Sequence, residues 1–256
     1  MHQFISYIKF LIRSTNQHGV HSPFVYLLLT KCFYRKGKKE SILTLKQFRK
    51  KLLQDKQNIN VKDFGAGSRV FKSNKRQVSA ITKNAGISLK RAKLLNKLIN
   101  YLEIQEVLEL GTSVGLASAA MAIDTKANIL TFEGCPETAS VAQHYFKDFN
   151  LNNIKIKVGE FDELLTDVSL KKSFDLIYFD GKHQKEPTLK YFQKLLPHAH
   201  NNSVFIFDDI HWSQEMEEAW DEIKKDPNVR VTIDSYYWGL VFFRKEQEKE
   251  HFTLRL

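Results

Sequence analysis

From residue 106 onward the chain alternates strand-length apolar runs with helical stretches, and this rhythm restricts the fold more than any single residue does. Apolar runs lie at 107–110, 129–132, 154–158, 176–179 and 204–207, and helical segments at 116–123, 137–149, 161–168, 188–196 and 215–225 follow them in turn. Strands joined through helices run parallel, because only a long crossover returns the chain to the same end of a sheet. Five such units predict a parallel sheet covered on both faces. Runs at 229–233 and 238–243 are too close together for an intervening helix. They are expected to pair as an antiparallel hairpin at one end of the sheet.

The remainder of the chain has a different character. Residues 1–104 carry 22 Lys and Arg against 4 Asp and Glu, whereas residues 105–256 carry 17 against 25. The overall charge of +10 is therefore a basic segment joined to an acidic one. We read 1–104 as a mainly helical extension serving as lid, acceptor wall or dimer contact, and 105–256 as the ligand-binding domain. Phe4, Ile8, Leu11 and Ile12 recur at helical spacing, a Gly19 to Pro23 turn follows, and 24–33 resumes an apolar run. Further helices are expected at 46–53, 78–83 and 88–102, with Ser88 as N-cap of the last. A strongly basic segment suits an anionic partner such as nucleic acid or a membrane surface, or forms a solvated face.

Several classes are excluded at this level. With 43% hydrophobic residues over 256 positions, the chain can bury a sizeable core. The longest apolar stretches are strand-length, far short of the ~20 residues that cross a bilayer, so no transmembrane helix is expected. Residues 1–12 are interrupted by Lys9 and ended by Arg13 without a small-residue cleavage site, which argues against a secretory signal. Cys32 and Cys135 are the only cysteines, so there is no disulfide framework and a reduced, cytoplasmic protein is expected.

Two constellations carry the chemistry. Glu109-Leu-Gly-Thr-Ser-Val-Gly115 joins the first strand to the first helix, where Gly111 and Gly115 would let a ligand approach the backbone. Leu116 stands where a phosphate loop needs Lys, and the third glycine of the dinucleotide fingerprint is missing, which weakens a nicotinamide dehydrogenase reading. Glu133 closes the second strand, where a carboxylate can accept hydrogen bonds from ribose hydroxyls. The second constellation joins Asp180-Gly-Lys-His183, after the fourth strand, to Phe205-Ile-Phe-Asp-Asp-Ile-His-Trp212, at the end of the fifth. Asp180, Asp208 and Asp209 are expected to converge, and three carboxylates repel unless a cation lies between them. Oxygen ligands favour a hard ion, Mg²⁺ first, with Ca²⁺ or Mn²⁺ as substitutes. Capping of the next helix is the structural alternative for Asp208 and Asp209. His183 is the first candidate to take a proton near neutral pH, and Lys182 the second.

These residues resemble the class I S-adenosylmethionine-dependent methyltransferases over residues 105–245. The pattern of Asp180 with Asp208-Asp209 is similar to that of cation-dependent O-methyltransferases of the catechol and the sugar- and antibiotic-tailoring types. The resemblance implies a doubly wound, mostly parallel, seven-stranded Rossmann-like sheet. It further implies that Glu109, Gly111, Thr112, Ser113 and Gly115 hold the methionine moiety, Glu133 and Gly134 the ribose, and Glu160 and Phe161 the adenine surroundings. Asp180 would serve cofactor, metal and catalysis, with His183 and Lys182 beside it and Asp208 and Asp209 on the metal. Two departures stand out: Pro197-His-Ala-His-Asn-Asn-Ser203 replaces a Gly-Gly turn, and Asp209 stands where the catechol type has Asn. The implied activity is methylation of a small-molecule hydroxyl; the alternatives are a metal-independent RNA methyltransferase and a nucleic-acid-binding protein with a vestigial cofactor site.

Other features read as structural. Asp63-Phe-Gly-Ala-Gly-Ser68 follows too short a strand to be a second cofactor loop. Residues 78–98 imitate a helix-turn-helix, but Leu94, Leu95, Leu98 and Ile99 offer an apolar face for packing. His18, His21, His198 and His200 lack a third metal ligand and read as turn or surface residues. Trp212, Tyr236, Tyr237 and Trp238 suit either acceptor stacking or the core.

Overall fold

The computed structural model describes residues 2–62, 73–166 and 173–256. The helices of the basic segment are α1 His2–Arg13, α2 Pro23–Leu27, which runs into a π-helical turn Leu28–Phe33, and α3 Lys39–Gln54. A small hairpin, β1 Asn58–Asn60 with β2 Lys75–Gln77, precedes α4 Val78–Asn84 and α5 Leu89–Tyr101. The alternating region then runs β3 Glu106–Leu110, α6 Leu116–Ala122, β4 Asn128–Glu133, α7 Pro136–Asp148, β5 Ile154–Val158 and α8 Phe161–Leu164. It continues with β6 Leu176–Phe179, α9 Lys185–Leu195, β7 Val204–Asp208 and α10 Gln214–Lys225, and closes with β8 Val231–Asp234, β9 Trp238–Phe242 and β10 Glu250–Thr253. Apart from β1 and β2, the strands belong to one mostly parallel, eight-stranded sheet. The chain divides into two compact units, Arg35–Leu170 and Met1–Tyr34 with Lys171–Leu256.

In the unit Arg35–Leu170 the strands lie in the order β3-β4-β5, all parallel. Every residue of α6 is buried, which its composition, Leu-Ala-Ser-Ala-Ala-Met-Ala, permits without leaving a charge dry. α5 packs against α6 through the Leu94, Leu95, Leu98 and Ile99 face. Its buried Asn96 donates from Nδ2 to the carbonyls of Ala120 (3.0 Å) and Ile123 (2.8 Å), answering acceptors that the end of α6 leaves open. Ser88 caps α5 by accepting from the Arg91 amide at 3.2 Å, as its position suggests. The glycine motif 63–68 lies outside the described residues.

In the other unit the order is β10-β8-β9-β7-β6. β6 and β7 are parallel, and every residue of both is buried, which is why they read as unbroken apolar runs. β9 pairs antiparallel with both β7 and β8, so the C-terminal hairpin forms as expected. The core here is aromatic. Phe179 stacks on Phe207 at 4.3 Å, and Trp238 donates from Nε1 to the Tyr178 hydroxyl at 3.2 Å. The eighth strand, β10, pairs parallel with β8 and goes beyond the seven read from the sequence. Its Glu-His-Phe-Thr has no fully buried residue, so it owes its place to ladder bonds along the β8 edge rather than to an apolar pattern. Thr15 joins this end of the chain by donating to Thr253 O (3.0 Å) and accepting from the Arg255 amide (3.1 Å).

Gly239 marks a close approach of β9 to the Trp220 ring. A Cβ there would lie 2.6 Å from Cζ3 of Trp220, a buried ring that has no room to withdraw. Gly239→Ala is therefore expected to destabilise the protein by about 1–3 kcal/mol in denaturant unfolding, the usual cost of overpacking. Unchanged stability would mean that the indole is not seated on β9.

Candidate active site

β3 is buried from Val107 to Leu110 because neighbouring strands and helices cover both faces, and the turn that follows it needs left-handed backbone. Gly111 has φ 109°, Ser113 φ 49° and Gly115 φ 83°. Gly115 also faces Phe146 of α7, whose Cε1 would stand 2.5 Å from an added Cβ. This glycine is thus required for the close approach of α6 and α7 as well as for the turn.

Four of the loop's amides, those of Gly111, Thr112, Ser113 and Gly115, are committed within the protein. Gly111 N and Thr112 N both donate to Phe132 O (2.9 and 3.2 Å), and Gly115 N donates to Thr112 O (2.9 Å). Ser113 N donates to Glu133 Oε2 at 2.7 Å, while Cys135 N donates to Glu133 Oε1 at 2.8 Å. Glu133 is therefore fixed at the tip of β4 with both oxygens oriented, each retaining acceptor capacity. Burial raises its pKa, and the amide bonds from Cys135 and Ser113 counter that in part. Amides turned inward in this way do not form the anion cradle that a pyrophosphate uses.

Glu109 provides the second carboxylate of this unit. It is fully buried. Ser118 donates to its Oε2, while its buried Oε1 has no hydrogen-bond partner. Burial pushes its pKa up to about 7, against the hydrogen bonds of Ser118 and Thr131 and aided by the charge of Glu133. An unanswered buried acceptor beside the glycine turn is what a donor-bearing or cationic ligand would complete. Gly159 N donates to Glu133 O at 3.0 Å, which ties the loop after β5 to the same strand end. From there Glu160 precedes α8 with its side chain exposed, and Phe161 is buried.

The Asp180 and Asp208 constellations belong to the other unit. His183 Nε2 lies 3.6 Å from Asp180 Oδ1, and the turn between them puts Lys182 and His183 at positive φ. Lys182 extends its ammonium over the Tyr191 ring, 5.6 Å from the centroid. Asp208 is buried, and its Oδ1 accepts from the Asp209 amide at 3.0 Å, which also donates to Tyr237 O at 2.7 Å. Asp209 is itself left-handed, with φ 53°. Among the described residues no group of three or more His, Cys, Asp or Glu side chains is placed to hold a metal ion.

One titratable centre here was not assigned a role from the sequence. His211 donates through both ring nitrogens, Nδ1 to Glu217 Oε1 (2.6 Å) and Nε2 to Asp234 Oδ2 (2.9 Å), and stacks on Tyr236 at 5.3 Å. Burial opposes its charging, but Asp234 and Glu217 outweigh that and raise its pKa. His211 stands in the quoted strand-end motif, yet its partners lie 6 and 23 residues away, a separation that local spacing does not reveal. His200 meets Asp175 at 2.9 Å.

Comparison with known proteins bears on this geometry. Residues 108–210 match the model of a methyltransferase domain family. A catechol O-methyltransferase of Niastella koreensis is 26% identical over 129 residues, which are 48% of this chain and 58% of that protein. The chain thus spans a little over half the length of that relative. A methyltransferase of Podospora anserina, solved with S-adenosylhomocysteine, superimposes with a TM-score of 0.60 at 14% identity, covering 88% of this chain and 97% of that one. The Streptomyces achromogenes O-methyltransferase involved in tomaymycin synthesis, solved with S-adenosylmethionine, gives 0.56 at 16%, covering 90% and 99%. At such identities the likeness is one of fold.

The buried acid of this domain titrates in an accessible range. An ordinary Glu ionises near 4.5 and Glu109 near 7, so the free folded form binds a proton that the unfolded chain has already released between those values. Stability without ligand is expected to fall as pH rises through this window, by about 3 kcal/mol in all. Glu109→Gln is expected to remove that slope and to be the more stable protein at pH 8. Denaturant unfolding across a pH series measures both, and coincident curves for the two proteins would refute the assignment.

Proposed function

We propose that this protein is an S-adenosylmethionine-dependent methyltransferase that methylates the hydroxyl oxygen of a small molecule. The observation that carries the reading is Glu133, a carboxylate fixed by two backbone amides beside a glycine turn, in position to receive a ribose diol. The commitment of the turn's amides supports a cationic or neutral group over a pyrophosphate, and so favours this cofactor over a dinucleotide. The likeness to a catechol O-methyltransferase supports an oxygen acceptor.

The residues present suit that cofactor. S-Adenosylmethionine, when bound, supplies an electrophilic methyl group on a sulfonium. Glu109, with its unanswered Oε1, would receive the ammonium or sulfonium end and ionise fully as it does so, since a nearby cation favours the charged form. Glu133 would bind the ribose hydroxyls, with Gly134 continuing that turn. Phe161 would pack against the adenine and exclude water, and Glu160 would border it. Gly111, Thr112 and Ser113 would position the amino-acid end, and Gly115 keeps α6 close enough for the turn to hold its shape. Methyl transfer to oxygen chiefly requires alignment and removal of one proton. His183, oriented by Asp180, would take that proton, while Lys182 is drawn towards Tyr191 and is the weaker base candidate.

Asp180, Asp208 and Asp209 are the residues that would hold a divalent ion, which would lower the pKa of the acceptor hydroxyl. Rates measured with Mg²⁺ and with chelator decide its part. A strict Mg²⁺ requirement would assign Asp180, Asp208 and Asp209 to the ion, and equal rates would leave deprotonation to His183 alone.

Two measurements test the reading. Calorimetry is expected to show S-adenosylhomocysteine binding that weakens at least ~30-fold in Glu133→Ala, which loses the ribose contact and strands the amides of Ser113 and Cys135. No binding to the unaltered protein would end the proposal. With a catechol or similar phenolic acceptor, His183→Ala is expected to lower kcat by about 100-fold and Lys182→Ala by less than about threefold; the reverse order would exchange their roles.

A further inference from the structure

α1 is amphipathic in the opposite sense to a helix that covers a core. Its inner face is narrow. Phe10 and the small polar Ser6 are buried, Tyr236 donates to Gln3 O at 2.8 Å, and Phe10 meets the Tyr236 ring at 5.6 Å. The apolar residues face outward: Phe4 is 69% exposed, Ile12 79%, and Ile5, Ile8 and Leu11 between 41% and 45%. At about 100° per residue these five side chains fall within an arc of ~120°, nearly opposite Ser6 and Phe10. Isolated exposed apolar residues are ordinary, but five in one stripe on a 12-residue helix call for a partner.

Charge distinguishes between the partners. Lys9 borders the stripe and Arg13 closes the helix at its C-terminal end; both are exposed, and neither makes an ion pair among the described residues. The helix carries no acidic residue, and the first acid in the whole chain is Glu40. A second copy docking through the same stripe about a two-fold axis would bring two basic rims together with no acid on the helix to answer them. An anionic bilayer answers both features at once, because acyl chains accept the stripe while headgroups pair with Lys9 and Arg13. The exposed aromatic ring of Phe4 suits the headgroup boundary, while Tyr7 packs edge-on against Tyr236 at 4.9 Å. α1 is too short to cross a membrane, and no helix among the described residues is long and apolar enough to do so.

We propose that α1 is an in-plane anchor that seats this protein on anionic lipid surfaces. The apolar stripe enters the headgroup boundary, and the Tyr236 and Ser6 side of the helix stays on the protein. The anchor is reversible, since a single short helix gives partition and not insertion.

The test is flotation of the full chain with vesicles of phosphatidylcholine alone and with about one-third phosphatidylglycerol. Binding is expected to the anionic vesicles and to be released as salt screens Lys9 and Arg13. Ile8→Asp with Ile12→Asp should weaken it at least ~10-fold. Lys9→Glu with Arg13→Glu should weaken it about 20-fold or more, at roughly fivefold for each basic residue. All four side chains face outward, so the variants should keep the wild-type melting temperature; Ile12→Asp alone serves if the double variant does not fold. Absence of flotation with anionic vesicles, or flotation indifferent to both pairs of substitutions, would overturn the proposal. So would sedimentation that finds a dimer which Ile12→Asp converts to monomer, because the stripe would then belong to a second copy.

Discussion

The two hydrogen bonds into the Glu133 carboxylate, one from Ser113 N and one from Cys135 N, organise the strand ends of the unit Arg35–Leu170. They tie the turn after β3 to the end of β4 and to the start of α7. The left-handed residues of that turn would otherwise relax, because nothing in an isolated chain rewards Ser113 for a positive φ. Gly159, bonded to the Glu133 carbonyl, brings the loop after β5 into the same frame. One acidic side chain and its own backbone thus set the relative position of three loops that the sheet alone would leave at adjacent strand ends.

Buried Glu109, half-buried Glu133 and, in the other unit, half-buried His211 show how differently a protein can treat a charge drawn away from water. Glu133 is answered by amides and His211 by two carboxylates, so each is held in place by the groups that stabilise its charge. Glu109 is answered on one oxygen only, and its raised pKa records the deficit. Native structures tolerate few such groups, and those they keep are concentrated where a ligand completes them. α1 presents the same logic with the polarity reversed. There the unanswered element is apolar surface, and the completing partner is a lipid boundary.

Much of the fold was legible before any coordinates. The strands at 107–110, 129–132 and 204–207 read correctly because a buried strand must be mostly apolar, Glu109 and Thr131 being the exceptions, and the periodicity of α5 disclosed its buried face. β10 was not legible, since Glu250, His251 and Thr253 are polar and an edge strand gains its stability from ladder bonds that any sequence can make. The candidate site was legible by residue and not by geometry. Glu133 and the glycine turn stood out at their spacing, whereas the inward commitment of the turn's amides, the stranded oxygen of Glu109 and the Glu217–His211–Asp234 centre depend on contacts between distant elements.

Alternation of period and length determined, from the sequence by itself, that this chain is a mostly parallel α/β protein with its ligand-binding residues at strand ends, because local burial patterns are written into consecutive side chains. The charge division also belongs to the sequence, with the first acid at Glu40. Only the tertiary structure decided which polar atoms are satisfied and which apolar side chains are left uncovered. Asp208 turns one carboxylate oxygen to the next amide, and Ile8 and Ile12, apolar residues that periodicity would assign to a core, face outward. Satisfaction and exposure are properties of pairs of elements brought together by folding, and no local stretch of chain contains them.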